Sequence, residues 1–173
     1  HMYTSDDTES MFSNSKNMMA YKKVIIRKEC EEIDDRTFFR DCGLIEIVFE
    51  GESELLRIGS QAFFESGLTK ITLPKNLELI ENNAFVTHMV YNDYHNILCT
   101  ITLEEREIDR ETVLCFPNRL RHIGDSAFSE CVFIGDRASN STILFIPQSV
   151  QHMGHNCLCV ASDITKVILE KEF

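Results

Sequence analysis

The chain has no apolar stretch near the roughly 18 residues that a membrane-spanning helix needs, and its first residues lack the apolar core of a secretory signal. Basic residues are scarce beside acidic ones: 17 Lys and Arg stand against 28 Asp and Glu, a formal charge of −11. Nucleic acids and anionic membranes would repel such a surface, so the expected partner is a basic or neutral protein. A phosphate-cradling glycine-rich loop, a P-loop lysine motif and a nucleophile elbow are also missing, which removes common sequence marks of an enzyme. The seven cysteines are odd in number and irregularly spaced. They read against a disulfide scaffold and for reduced thiols, and so for a cytoplasmic protein; a trimmed signal peptide would instead fit the cell surface.

What is present is repetition. Ile58 is followed four and five residues later by Ala62 and Phe63, Ile80 by Ala84 and Phe85, and Ile123 by Ala127 and Phe128. The frame weakens but persists at Ile33 with Thr37 and Phe38, and at Met153 with Cys157 and Leu158. Successive anchors lie 25, 22, 43 and 30 residues apart. The interval of 43 holds either two degenerate repeats or one repeat with a large insertion. A unit this short cannot bury its own apolar face, so it must stack on its neighbours as a solenoid.

Each unit also carries a strand frame, apolar at positions 1, 4 and 6. It fits Tyr21/Val24/Ile26, Leu44/Ile47/Phe49, Leu68/Ile71/Leu73, Leu98/Ile101/Leu103 and Ile164/Val167/Leu169, and fits Ser141/Leu144/Ile146 with a polar first residue. Val113 to Phe116 competes with 98–103 for one strand. The two segments also suit a hairpin around Glu104–Arg110.

The pattern resembles the BspA-like class of leucine-rich repeats, whose unit reads approximately I-G-x-x-A-F-x-x-C-x-x-L-x-x-I-x-L-P-x-x-L. The matching residues are Ile58-Gly59, Ala62-Phe63, Leu68, Ile71, Leu73-Pro74 and Leu77. A second set is Ile123-Gly124, Ala127-Phe128, Cys131, Ile146-Pro147 and Val150, with Met153-Gly154 opening a third. The resemblance implies an α/β-type repeat solenoid. Its parallel sheet would lie on the concave side and short helical or irregular connections on the convex side, with a binding role. Residues 1–20 read as a polar tail or cap, opened by a His1-Met2 cloning remnant. Residues 21–173 form the repeat domain, with an irregular insertion around 86–118.

Two clusters suggest chemistry and are weighed against simpler readings. His152, His155, Cys157 and Cys159 lie within eight residues and are zinc-type ligands. The register nevertheless puts Cys157 at the buried Ala position and His152 in line with Arg57, Leu79 and His122, so the structural reading is preferred and no metal or other cofactor is expected. The carboxylates Glu104, Glu105, Glu107, Asp109 and Glu111 read as a solvated loop instead of an acid–base pair or a cation site. No catalytic residue is assigned.

What remains is the face the core does not use. With positions 4 and 6 inward, one outward column is Ile25, Val48, Thr72, Thr102, Phe145 and Ile168. Its neighbour holds Lys23, Glu46, Lys70, Thr100, Ile143 and Lys166. An apolar stripe beside charges marks a protein-binding surface. The expected function is therefore a non-catalytic protein–protein interaction module that takes a protein or peptide on its concave sheet. A surface adhesin for matrix or glycans is the alternative, and a zinc or cysteine enzyme follows at a distance. The strand at 164–169, with nothing after it to cover its edge, points to a homo-oligomer or another partner there.

Overall fold

A computed structural model describes residues 22–41, 43–86, 99–137, 140–159 and 164–170. The tail at 1–20, Tyr21, Cys42 and Leu98 lie outside them. The repeat anchors become two-residue strands: β2 (Glu32–Ile33), β4 (Arg57–Ile58), β6 (Leu79–Ile80), β9 (His122–Ile123) and β12 (His152–Met153). These pair in parallel as one narrow sheet, placing Ile33, Ile58, Ile80, Ile123 and Met153 in a single row. Ile80 is thus the direct neighbour of Ile123, and on this side the interval of 43 residues is one repeat with an insertion.

The strand frames form the opposite, longer sheet: β1 (Lys22–Ile26), β3 (Leu44–Phe49), β5 (Lys70–Thr72), β7 (Thr100–Ile108), β8 (Glu111–Cys115), β10 (Val132–Gly135), β11 (Ile143–Ile146) and β13 (Lys166–Leu169). Both competing segments are strands. Thr100–Leu103 lies parallel between β5 and β10, whereas Glu104–Ile108 turns over Asp109-Arg110 and pairs antiparallel with β8. Both turn residues have positive φ, 51° and 69°, as a two-residue hairpin loop whose twist matches its strands requires. β8 then pairs with β11, and β11 with β13. Strand β10 was not anticipated.

The core fills the space between the sheets. Ile26, Ile47, Ile71, Ile101 and Leu144 from the long sheet meet the anchor isoleucines and the stacked phenylalanines in one buried cluster. Phe38, Phe63, Phe85 and Phe128 form a ladder with ring centroids 5.3, 5.2 and 5.4 Å apart and planes within 9°. No helix occurs among the described residues, so the connections are of the irregular kind.

Those connections are bonded rung to rung. The residue three after each anchor (Arg36, Gln61, Asn83, Ser126 and Asn156) has φ of 53° to 58°. The first four donate their N–H to Ser60, Asn82, Asp125 and His155 of the next rung. The strained left-handed conformation, uncommon for Arg, Gln and Ser, is therefore offset by a hydrogen bond at every step. Two residues after the anchor, Asp35 Oδ1 accepts from Ser60 N (2.9 Å), Asn82 Oδ1 from Asp125 N (2.8 Å) and Asp125 Oδ1 from His155 N (2.7 Å). Hydrogen bonds from Arg57 and Ser60 N–H hold the Asp35 carboxyl below its ordinary range.

This ladder explains the glycine of the I-G motif. A Cβ on Gly59, Gly124 or Gly154 would lie 2.4–2.5 Å from the backbone nitrogen of Asp35, Asn82 or Asp125 in the preceding rung. The one later rung without glycine, at Glu81, follows Ser60 instead of an Asp or Asn.

Candidate functional site

Over β1, β3 and β5 the outward face lies where the strand frame puts it. Lys23 pairs in register with Glu46, and Glu46 with Lys70; Ile25 stands beside Val48. Ile25 is 43% exposed, Glu46, Lys70 and Thr72 are exposed, and Val48 is half-buried. Lys23 Nζ donates to Glu46 Oε1 at 3.2 Å. Above β3 and β5 this face forms an open groove of about 820 Å³. Val48, Thr72, Glu46 and Lys70 line its floor, and Glu52, Lys75 and Asn76 belong to the loops that bound it. Asn76 Nδ2 holds those loops together by donating to Ser53 O at 2.9 Å.

Beyond β5 the expected face is not outward. Thr102 and Phe145 are only 5% and 7% exposed, which corrects their assignment to the binding stripe. The column is broken, because Thr102 has β5 on one side and β10 on the other, whereas Phe145 lies beside Cys115 of β8. The β7–β8 hairpin brings Val113 and Cys115 against Phe145, and Ile108, Ile143 and Ile168 pack around them as a second apolar cluster. The β-branched and aromatic residues there fill a core of their own. Thr102 Oγ1 has no hydrogen-bond partner among the described residues. Of the remaining expected residues, Ile143 and Ile168 are half-buried at the margin of this cluster, and Lys166 is exposed and ion-paired with Glu111 at 2.6 Å.

The acidic run is likewise no simple solvated loop. Glu104, Glu105 and Glu107 lie on β7 and Glu111 on β8. Glu104 pairs with Arg106 at 2.7 Å, and Glu107 accepts from Thr112 at 2.6 Å. Glu105 is 4% exposed because strand alternation turns it to the face of Leu103, over Gly135, where the missing side chain leaves room for its carboxylate.

The His/Cys cluster follows the register. His152 stacks on His122 with centroids 4.6 Å apart, in the row of Arg57 and Leu79. Cys157 is buried at the Ala position, where burial pushes its thiol up, while Cys159 is exposed. Among the described residues no three His, Cys, Asp or Glu side chains are arranged to hold a metal ion. Nor is any helix there long and apolar enough to cross a membrane.

The stacked I-G-x-x-A-F turns agree with a scan of family models, in which the BspA type leucine rich repeat region matches in six copies over residues 7–101 and 112–173. The chain belongs to the BspA-type leucine-rich repeat family. The gap in the match, 102–111, is where β7 leaves its parallel neighbours for the hairpin. Searches of curated proteins and of solved structures returned no match. A BspA-type repeat domain is a protein-interaction repeat module, and its repeated residues, such as Phe63 and Phe85, are core residues.

Proposed function

We propose that this BspA-type domain is a non-catalytic interaction module whose concave groove over β3 and β5 takes an extended segment of a protein partner. The observation that carries the reading is the groove itself: about 820 Å³, lined by Val48, Thr72, Glu46 and Lys70. A partner would place an apolar side chain over Val48 and Ile25 and a carboxylate at Lys70, which makes no ion pair among the described residues. The overall charge of −11 favours a partner that is basic or neutral elsewhere. Free cysteines among the described residues support a reducing, cytoplasm-like setting.

The test is selection of binders from a random peptide display library, followed by titration calorimetry of the selected peptides. Val48→Asp with Lys70→Glu should weaken binding at least tenfold while the melting temperature stays within a few degrees. Selected peptides indifferent to both substitutions would overturn the groove as the site. Groove-dependent binding of glycans or matrix protein in place of peptides would favour the adhesin reading.

A further inference from the structure

A second surface, independent of the groove, lies at the free edge of the long sheet. β13 has β11 on one side and, among the described residues, no strand on the other. Its Val167 and Leu169 are 48% and 58% exposed. They are in register with Leu144 and Ile146, which are buried, so they continue an apolar face past its last covered row. An edge with free backbone groups and exposed apolar side chains recruits another strand.

The backbone fixes which residues face that edge. Lys166 N–H donates to Thr142 O at 3.4 Å and Glu170 N–H to Ile146 O at 3.0 Å. Bonding direction alternates along a parallel ladder, so Lys166, Ile168 and Glu170 turn to β11, while Val167 and Leu169 aim their N–H and C=O groups outward. The strand reads Lys-Val-Ile-Leu-Glu, which complements itself about Ile168. Run antiparallel to a copy of itself, Lys166 meets Glu170, Val167 meets Leu169, and Ile168 meets its counterpart. In this register the outward Val167 and Leu169 form the hydrogen-bonded pairs. Ile168 falls at the closer, non-bonded pair, where cross-strand side chains pack best. The opposite edge strand, β1, reads Lys-Lys-Val-Ile-Ile and has no such complementarity.

We propose that β13 is the two-fold interface of a homodimer, paired antiparallel with β13 of a second copy and centred on Ile168. The contact is isologous. It would join Val167 and Leu169 of both copies into one cluster continuous with Leu144 and Ile146, and make the two long sheets one. Lys166 and Glu170 are already held in place, by Glu111 Oε2 (2.6 Å) and by the Gln148 N–H (2.8 Å), and so stand ready to select the register.

Sedimentation of the full chain over a range of concentrations tests the state, and cysteine pairs test the register. In a Cys42→Ser, Cys159→Ser background, Ile168→Cys should give a disulfide-linked dimer with oxidised glutathione, since the non-bonded pair matches disulfide geometry. Lys166→Cys and Glu170→Cys should each fail alone and cross-link when mixed. Leu169→Pro removes an outward donor without touching the β11 ladder, and should weaken the dimer at least tenfold without lowering the melting temperature of the dilute monomer. A monomer at millimolar concentration would overturn the proposal. So would a dimer that cross-links as readily through Ile25→Cys. Should Leu169→Pro fail to fold, the mixed cross-linking decides.

Discussion

Removing one ring from the middle of the phenylalanine ladder should do more than empty a site. Phe85 is 1% exposed and lies between Phe63 at 5.2 Å and Phe128 at 5.4 Å, nearly parallel to both. Large aromatic to Ala changes in a core cost about 3–5 kcal/mol. A stacked pair contributes about 0.5–1.5 kcal/mol beyond area, so two broken stacks place Phe85→Ala near the top of that range. Phe38, less completely buried at 7% exposed, should lose less. Against a typical total of about 5–15 kcal/mol, the Phe85 loss is large enough to uncouple the rungs on either side, because a solenoid is held by nearest-neighbour interfaces. Urea unfolding followed by circular dichroism should show a lower midpoint and a smaller slope for Phe85→Ala. A loss below about 1 kcal/mol, or a greater loss for Phe38→Ala than for Phe85→Ala, would refute the reasoning.

Gly124→Ala should destabilise by about 1–3 kcal/mol as an overpacked contact, since its Cβ would meet the backbone nitrogen of Asn82 at 2.5 Å; a thermal melt unchanged from wild type would contradict the interlock. Burial pushes the Cys115 thiol up to about 11, against about 8.5 in an unfolded chain. The native state therefore holds a proton that the unfolded state releases, and this contribution to stability is intact below about pH 8.5 and lost as pH rises through about 11. Cys115→Ala should flatten the alkaline fall in melting temperature, and an identical slope would count against the burial. Hydrogen bonding to Cys99 and burial likewise push the Cys131 thiol up, so mass-resolved alkylation should label Cys159 quickly and Cys99, Cys115 and Cys131 only after unfolding.

The anchor row was legible because burial repeats at fixed offsets: Ile58, Ala62 and Phe63 recur as Ile80, Ala84 and Phe85, and the structure stacks them in that order. The narrow sheet was not, since a two-residue strand is too short to show alternation. Strand β10 was hidden because, of its two inward rows, Phe133 beside Ile101 and Gly135 beside Leu103, only one carries an apolar side chain. In the groove, the outward placement of Val48, Thr72, Glu46 and Lys70 followed from alternation along strands with one solvent face. Thr102 and Phe145 defeated the same rule. Phe145 is covered by Val113 and Cys115 of the β7–β8 hairpin, and Thr102 lies between β5 and β10; a strand's own period cannot say that its second face is covered as well.

That hairpin also shows why the repeat tolerates its longest interval. On the narrow side nothing is interrupted: Ile80 pairs with Ile123, Phe85 stacks on Phe128, and Asn82 Oδ1 accepts from Asp125 N. The extra residues come after the bonded turn in sequence, where length is tolerated, since a connection twice as long costs only about 0.6 kcal/mol more to close. Much of that is offset locally, because Glu104–Ile108 and Glu111–Cys115 bond to each other and Val113 and Cys115 bury against Phe145. The hairpin then limits the open face of the long sheet. Before it, β1, β3 and β5 present one open side with charges on it; after it, the same side of β8, β11 and β13 is occupied by the second cluster. The groove lies over β3 and β5 because those strands keep a free face, and β13, beside which no further strand lies among the described residues, is a separate surface on the far side of the hairpin.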